Sequence, residues 1–263
     1  MSKLRFALDL TIGSWHPRQT RGRLSTEAET ETEMEMETEM EMGTDRHNAT
    51  NPRTTCQAHW TLVILCDSGG TMASTPTRED AWTLLNEFTD NPSLLKHALA
   101  VEAAMAAYAR RFGEDEEVWR AIGLIHDFDY QQNPTEDTHL HVGIRILRER
   151  GWPEEWVRTV ASHADYMGVP RDTVAAKALF AVDELTGFLT ACALVRPDKA
   201  ISEVKVKSVK KKLKDKAFAR GVNREDVRLG AEELGVELGE HIEFVRDAMA
   251  TIADELELPP REG

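Results

Sequence analysis

Six residues of this chain, four histidines and two aspartates, have side chains that bind divalent metal ions. They are His97, His126, Asp127, His139, His163 and Asp183. Imidazole nitrogens suit Fe, Mn, Ni, Co or Zn, and a carboxylate can bridge two ions about 3.5 to 4 Å apart. Such a site lowers the pKa of a bound water to about 7 and neutralises charge on a phosphoryl oxygen. These residue types therefore predict hydrolysis that needs no nucleophilic serine or cysteine.

The elements that position these side chains are predicted to be helices, because apolar residues recur every three or four positions from Arg78 onward. The predicted helices run from Pro92 to Gly113, from about Glu114 through His126, from about His139 to Arg150, from Pro153 to His163 and from about Asp172 to Leu194. Each ligand-type side chain falls on the apolar face of its helix. Because a buried polar group is costly unless it is paired or binds a metal, the pattern predicts a metal site inside an all-α bundle.

Other polar residues near the six are given different roles. His141 shares a helix face with arginines, so we predict that it faces solvent. Asp129 and Asp165 either support ligand histidines through hydrogen bonds or meet solvent. A pairing of Asp183 with Lys177 or an arginine is the alternative to metal binding by Asp183.

The order of these ligands and the phrases around them resemble the HD-domain superfamily of metal-dependent phosphohydrolases. The phrases are GLIHDFDY, SHADY and AVDELTGFLTACALVRP, and the resemblance spans about residues 78 to 220. They are similar to a compact, bacterial-type, single-domain branch of predicted HD hydrolases. The chain lacks the GYP signature of cyclic-dinucleotide phosphodiesterases after the His-Asp dyad, so the resemblance does not extend to that activity.

The resemblance implies a fold, a cofactor and a reaction. The fold is an all-α HD-domain bundle with the metal site in its core. The first divalent ion would be bound by His97, His126, Asp127 and Asp183. A second ion would be bound by His139 and His163, with Asp127 as the bridge. Asp127 and His126 are then the catalytic residues, and the ions are one or two of Mn, Fe, Ni, Co, Mg or Zn.

The leading functional hypothesis is a metal-dependent phosphohydrolase that acts on a small phosphorylated metabolite or nucleotide. Two alternatives stay open from the sequence. Some HD-fold relatives use a di-iron site to activate dioxygen, and the same ligands would serve an oxygenase. A non-catalytic module that binds metal or nucleotide is the other alternative.

A lysine-rich segment after the predicted core is the candidate for binding the substrate phosphate. Its candidate residues are Lys205, Lys207, Lys210 and Lys211. Ser208 and Arg220 could orient the same anion, and the alternative is a solvated helix face. Helices from about Arg224 are expected to supply core or subunit contacts.

Composition limits the class of protein. The 263 residues carry a formal net charge of −14, which disfavours bulk binding to nucleic acid. The three cysteines match no metal or disulfide motif, as expected of a cytoplasmic protein. No apolar run is long enough to cross a membrane. A homo-oligomer is possible, but the sequence does not define one.

The N-terminal part differs from the rest in composition. Glutamate occupies every odd position from Glu27 to Glu41, and apolar periodicity is weak up to about residue 73. We therefore expect residues 1–73 to be disordered or a non-native extension, with translation starting at Met72. Residues 74–263 are expected to form the HD-type domain, with a metal-binding core at about 78–200 and C-terminal helices at about 201–257.

Overall fold

The computed structural model describes residues 75–259, and the regular secondary structure of this part of the chain is helical, which confirms the all-α prediction for it. The predictions for residues 1–73, including a start at Met72, lie outside the described residues. In chain order the α-helices of the described part are α1 Arg78–Phe88, α2 Pro92–Phe112, α3 Glu116–Ile125, α4 His141–Glu149, α5 Glu154–Ser162, α6 Val174–Leu194, α7 Val206–Lys212, α8 Arg224–Leu234 and α9 Leu238–Ala250. Short 3-10 turns lie at Asp165–Met167 and Ile201–Glu203.

Local signals in the sequence define the ends of α2. The Asn91 side chain accepts a hydrogen bond from the Ser93 amide, and Pro92 occupies the first helical turn. Gly113 ends the helix with φ 72°, a left-handed conformation that glycine adopts without steric cost. The predicted bounds of this helix are therefore confirmed, and His97 lies in its second turn.

The start of α4 differs from the sequence prediction. The helix begins at His141, so His139 lies in the turn before it rather than in its first turn. The backbone at Leu140 has φ 61°, and the Asp129 carboxylate accepts hydrogen bonds from the amides of Leu140 and Gly143 at 3.2 and 3.0 Å. Asp129 thus satisfies free N–H groups at the start of this helix from a distant part of the chain. The apolar periodicity of α4 does not indicate this contact, so the sequence could not predict it.

The core is built around α6, most of whose residues are buried. It packs against α2, α5, α8 and α9, while α3 lies between α1 and α2. Ile242, Val245 and Met249 of α9 are fully buried, so of the two roles expected for the C-terminal helices, core or subunit contact, these residues have the core role. Among residues 75–259, no helix has the combined length and apolar character that a bilayer crossing requires.

Candidate metal centre

The structure brings all six predicted ligands together in two groups that share one residue. Within each group, one ligand atom per residue lies within 4.8 Å of the others. The first group consists of His97, His126, Asp127 and Asp183, and the second of Asp127, His139 and His163. Four of the six side chains are buried, and the other two are half-buried.

In the first group, nitrogen and oxygen atoms converge on a small volume between α2, α6 and the end of α3. The His97 Nε2 atom lies 3.2 Å from Asp183 Oδ1 and 3.3 Å from His126 Nε2. His126 Nε2 lies 3.7 Å from Asp183 Oδ1 and 3.5 Å from Asp127 Oδ2. Two imidazole nitrogens this close need a proton or a metal cation between them and the carboxylates. Within residues 75–259, Asp183 pairs with His97 and His126, and neither Lys177 nor an arginine forms the alternative ion pair with it.

The second group is centred on the other oxygen of Asp127. Asp127 Oδ1 lies 3.0 Å from His139 Nε2 and 3.1 Å from His163 Nε2, while Oδ2 faces His126. One carboxylate therefore directs one oxygen into each group. This is the geometry that a bridge between two divalent ions requires.

The rings of His126 and His163 are each held by a hydrogen bond to a carbonyl of the preceding helical turn. Each residue directly follows the last residue of a helix, α3 or α5, and its ring folds back onto the last turn. The Nδ1–H of His126 donates to the Gly123 carbonyl at 2.7 Å, and that of His163 donates to the Val160 carbonyl at 2.6 Å. With the proton on Nδ1, each Nε2 presents a lone pair toward the cluster, as a metal ligand must.

His139 is oriented by a carboxylate instead of a carbonyl. Its Nδ1–H donates to Asp129 Oδ1 at 3.0 Å, and Asp129 is completely buried. Asp129 therefore supports a ligand histidine, the first of the two roles that the sequence left open. Asp165 has the other role, since its side chain is 64% exposed and pairs with Arg171. His141 is exposed, as predicted.

The charges of the cluster stabilise each other. Burial favours a raised pKa for Asp127, but His126 and His139 hold the pKa of this carboxyl well below its usual range. Asp183 behaves in the same way beside His126 and His97, which keep its pKa low despite burial. Burial lowers the pKa of His139, yet Asp127 and Asp129 raise it to about 10. The carboxylates thus stabilise positive charge at this point, and a divalent cation supplies such charge. The donor set and its orientation fit a metal site.

A cavity of about 490 Å³ opens beside the second group. Its lining includes the ligands Asp127, His139 and His163, together with Tyr130, Pro134, Thr135, Glu136, Ala164, Asp165, Tyr166, Arg220, Gly221, Val222, Asn223 and Asp226. The four lysines predicted to bind the substrate phosphate are not part of this lining, and Lys210 instead pairs with Glu237 at 2.9 Å. They lie on or beside α7, which packs on α6 and α9. Arg220, the secondary candidate, does line the cavity.

Tyr130, Tyr166 and Asp226 are among the lining residues that the sequence reasoning missed. Tyr130 and Tyr166 each follow a ligand, Asp127 or His163, by three residues, so their position beside the motifs was the available signal. Tyr130 packs its ring edge-on to His139, with ring centroids 5.1 Å apart. Asp226 gave no signal, because it reaches the cavity through the packing of α8 on α6.

Part of this chain is similar in sequence to known proteins. Residues 94–187, which contain all six ligand-type side chains, match the family model described as HD domain. Ribonuclease Y of Thermus thermophilus and ribonuclease Y of Deinococcus radiodurans are each 32% identical to this chain over 74 residues. Those residues are 28% of this chain and 13% of each relative, so the chain matches a small fraction of their length. No solved structure matches the chain significantly. Residues 94–187 therefore belong to the HD domain family, whose members are generally metal-dependent hydrolases.

Proposed function

We propose that this protein is a metal-dependent phosphohydrolase that acts on a small phosphorylated metabolite or nucleotide. The observation that carries the proposal is the position of Asp127, whose two oxygens face two separate histidine-containing groups. A structural metal site needs one closed set of ligands. A shared carboxylate between two groups at the wall of a cavity favours a two-ion catalytic site.

The roles of the residues follow from their positions. Asp127 would hold both ions at a fixed separation, and His126 would complete the first group with Nε2. His139 and His163 would hold the ion nearer the cavity, where a substrate has access. Divalent ions in such a site lower the pKa of water to about 7 and stabilise negative charge on a phosphoryl oxygen. Burial of the cluster strengthens these electrostatic effects, because water screens charges less well in the interior.

The class of phosphoester is the finer part of the proposal. The relatives are named for ribonuclease activity, so phosphodiester bonds belong in the test. The cavity volume of about 490 Å³ suits a small molecule. A formal net charge of −14 opposes extended contact with a nucleic-acid backbone. We therefore favour a small substrate.

The test begins with elemental analysis of protein purified without chelator. Release of phosphate, p-nitrophenol or nucleotide is then measured with p-nitrophenyl phosphate, bis(p-nitrophenyl) phosphate, nucleotides and a short RNA, each with added Mn²⁺, Fe²⁺, Co²⁺, Ni²⁺, Mg²⁺ or Zn²⁺. Asp127→Asn should lower turnover at least about 100-fold, because a metal ligand matters at least as much as its supporting residues. Asp254→Asn, a change of an exposed aspartate, is the matched control and should retain full activity.

Three outcomes would contradict the proposal. The first is full turnover by Asp127→Asn with its metal content verified. The second is substrate-dependent oxygen uptake by an iron-loaded sample with no phosphate release, which would indicate the di-iron oxygenase. The third is tight binding of metal and nucleotide with no turnover of any phosphoester, which would indicate a non-catalytic module.

A further inference from the structure

Arg220 differs from the other arginines of the described chain. Every other arginine in residues 75–259 makes an ion pair or a hydrogen bond within that range. Arg220 makes neither with any described residue, although it lines the cavity beside the candidate metal centre. A guanidinium that has no partner among the described residues, at the wall of a cavity beside a candidate metal centre, is suited to bind an oxyanion with two parallel hydrogen bonds.

The segment that carries Arg220 is held in place by Arg224, the first residue of α8. The guanidinium of Arg224 donates hydrogen bonds to four backbone carbonyls of the preceding segment. These carbonyls belong to Asp215, Phe218, Ala219 and Val222. The next amide, that of Asn223, donates to Glu184 of α6 at 3.1 Å. The segment is thus tied to the helix that also supplies Asp183.

The backbone next to Arg220 is in an uncommon conformation. Ala219 has φ 44°, in the left-handed region that residues with a Cβ atom seldom adopt, and its side chain is buried. Phe218 packs edge-on to Phe188 of α6, with ring centroids 5.5 Å apart. The hydrogen bonds of Arg224 and the packing of Phe218 together stabilise a conformation that directs residue 220 to the cavity.

The remaining charged groups of the cavity wall are acidic. Apart from the ligand Asp127, the carboxylates of Glu136, Asp165 and Asp226 line it, and Arg220 is its sole lysine or arginine among the described residues. Arg171 pairs with Asp165 and offsets that charge. Arg220 is therefore the one guanidinium or ammonium group of the described wall that can bind an anionic oxygen beside the candidate metal centre.

We infer that Arg220 binds the phosphoryl group of the substrate, and that Arg224 positions Arg220 for this contact. The inference rests on the proposed phosphohydrolase function and deepens it by naming a residue that contacts the substrate phosphate.

Binding of phosphate to the Mn²⁺-loaded protein tests the role of Arg220 without relying on turnover. Isothermal titration with inorganic phosphate should show about 10- to 100-fold weaker binding by Arg220→Gln, because a hydrogen-bonded charge pair is lost. Arg220→Lys should recover part of the affinity, since the charge returns without the planar fork. Arg228→Gln, which changes an exposed arginine of α8 paired with Glu225, is the matched control and should bind like wild type.

The positioning role of Arg224 requires a readout that general loss of stability does not give. If Arg224 acts through Arg220, then Arg224→Gln should raise the KM for p-nitrophenyl phosphate, and the double variant Arg220→Gln/Arg224→Gln should have the KM of Arg220→Gln alone. Additive effects of the two changes would contradict this role. Mn²⁺ affinity measured on each variant shows whether the metal centre has remained intact.

Failure of the inference and failure of the proposed function give different results. If the phosphohydrolase proposal is wrong, Mn²⁺-loaded wild-type protein will hydrolyse none of the phosphoesters tested, whether or not it binds inorganic phosphate. If only the inference is wrong, wild type will hydrolyse a phosphoester and bind inorganic phosphate, and Arg220→Gln will bind phosphate as tightly as wild type.

Discussion

Asp129 lies outside the six candidate ligands, yet it determines how one of them is held. Its Oδ1 accepts the Nδ1–H of His139, and its Oδ2 accepts the amides of Leu140 and Gly143. The carboxylate therefore fixes both the ring of a ligand and the backbone that carries it. An asparagine at this position retains one oxygen but places N–H donors where acceptors are needed.

We expect Asp129→Asn to weaken Mn²⁺ binding at the second group about 10- to 100-fold and to leave the first group unchanged. Titration of Mn²⁺ followed by electron paramagnetic resonance measures the two affinities separately. Asp165→Asn serves as the control, because that exposed carboxylate does not contact a ligand histidine in this structure. Equal affinities in Asp129→Asn and wild type would show that the ring of His139 needs no such support.

The role of a residue could be predicted where it depends on residue type and on neighbouring positions in the sequence. The ligand types of His97, His126 and Asp183 and their places on apolar helix faces were visible in the sequence, and the structure brings these residues together. The partner of Asp129 was not visible, because the contact joins the turn after α3 to the turn before α4. Arg220 lines the cavity and the four lysines do not, a difference that the sequence could not show because a lysine run does not reveal its orientation.

At the level of the helices, α4 approaches Asp129 so closely that only glycine fits at position 143. A Cβ atom added to Gly143 would lie 2.8 Å from the Asp129 Cγ atom. Gly187 of α6 offers a contrast, because a Cβ atom there would meet nothing within 4 Å. Position 143 therefore has no room for a side chain, whereas position 187 does, although both glycines lie inside helices near the candidate centre.

Gly143→Ala should destabilise the fold by about 1 to 3 kcal/mol through overpacking and should weaken metal binding at His139. Gly187→Ala should instead stabilise it by about 0.5 to 1 kcal/mol, because alanine favours the helical backbone. Urea denaturation in the presence of chelator measures both free energies of unfolding. Similar effects of the two substitutions would contradict the proposed contact between α4 and Asp129.

A buried hydrogen-bonded chain joins three helices of the core. Tyr108 of α2 donates its hydroxyl proton to His241 Nδ1 at 2.6 Å, and His241 Nε2–H donates to the Ala181 carbonyl of α6 at 3.0 Å. His241 on α9 is thus neutral in the folded state. Burial lowers its pKa from 6.5 to about 4.

This histidine makes folding dependent on pH. Its stabilising contribution is complete above the unfolded-state pKa of 6.5 and is lost as the pH falls toward about 4, because only the unfolded chain takes up the proton in that range. Between pH 7.5 and 4.5, wild type should lose about 2 to 3 kcal/mol more stability than His241→Gln, which has no ionisable group at this position. Urea denaturation with chelator at both pH values measures the difference. Parallel losses in the two proteins would exclude His241 as the cause.

For the whole molecule, the sequence predicted the fold class and missed parts of the architecture. Helices such as α2 and α6 were predicted because caps and periodicity lie within each segment. Their mutual packing, and the way α8 brings Asp226 to the cavity, depend on contacts between distant segments, which a single sequence does not record. The candidate site lies where five such segments meet, so its chemistry could be predicted but not the shape of its cavity.

Because the candidate site lies where five segments meet, metal binding is expected to increase the free energy of unfolding of the whole domain. The six ligand-type residues come from α2, the end of α3, the turn before α4, the end of α5 and α6. Each ion would therefore connect segments that separate on unfolding, and the unfolded chain would bind it weakly. Free Mn²⁺ at 100 times the dissociation constant should stabilise the fold by about 3 kcal/mol for each ion bound.

Asp127 is shared by both groups, so Asp127→Asn should lose most of this gain, whereas Asp254→Asn, an exposed site, should keep it. The measurement is urea denaturation at several Mn²⁺ concentrations, with chelator as the reference. Two ions predict a stability that rises with twice the slope of one ion against the logarithm of free Mn²⁺. His163→Ala, which removes a ligand of the second group alone, should halve that slope. If the stability of wild type rises with the slope expected for one ion, and His163→Ala leaves that slope unchanged, then the second group binds no metal and Asp127 is not a bridge.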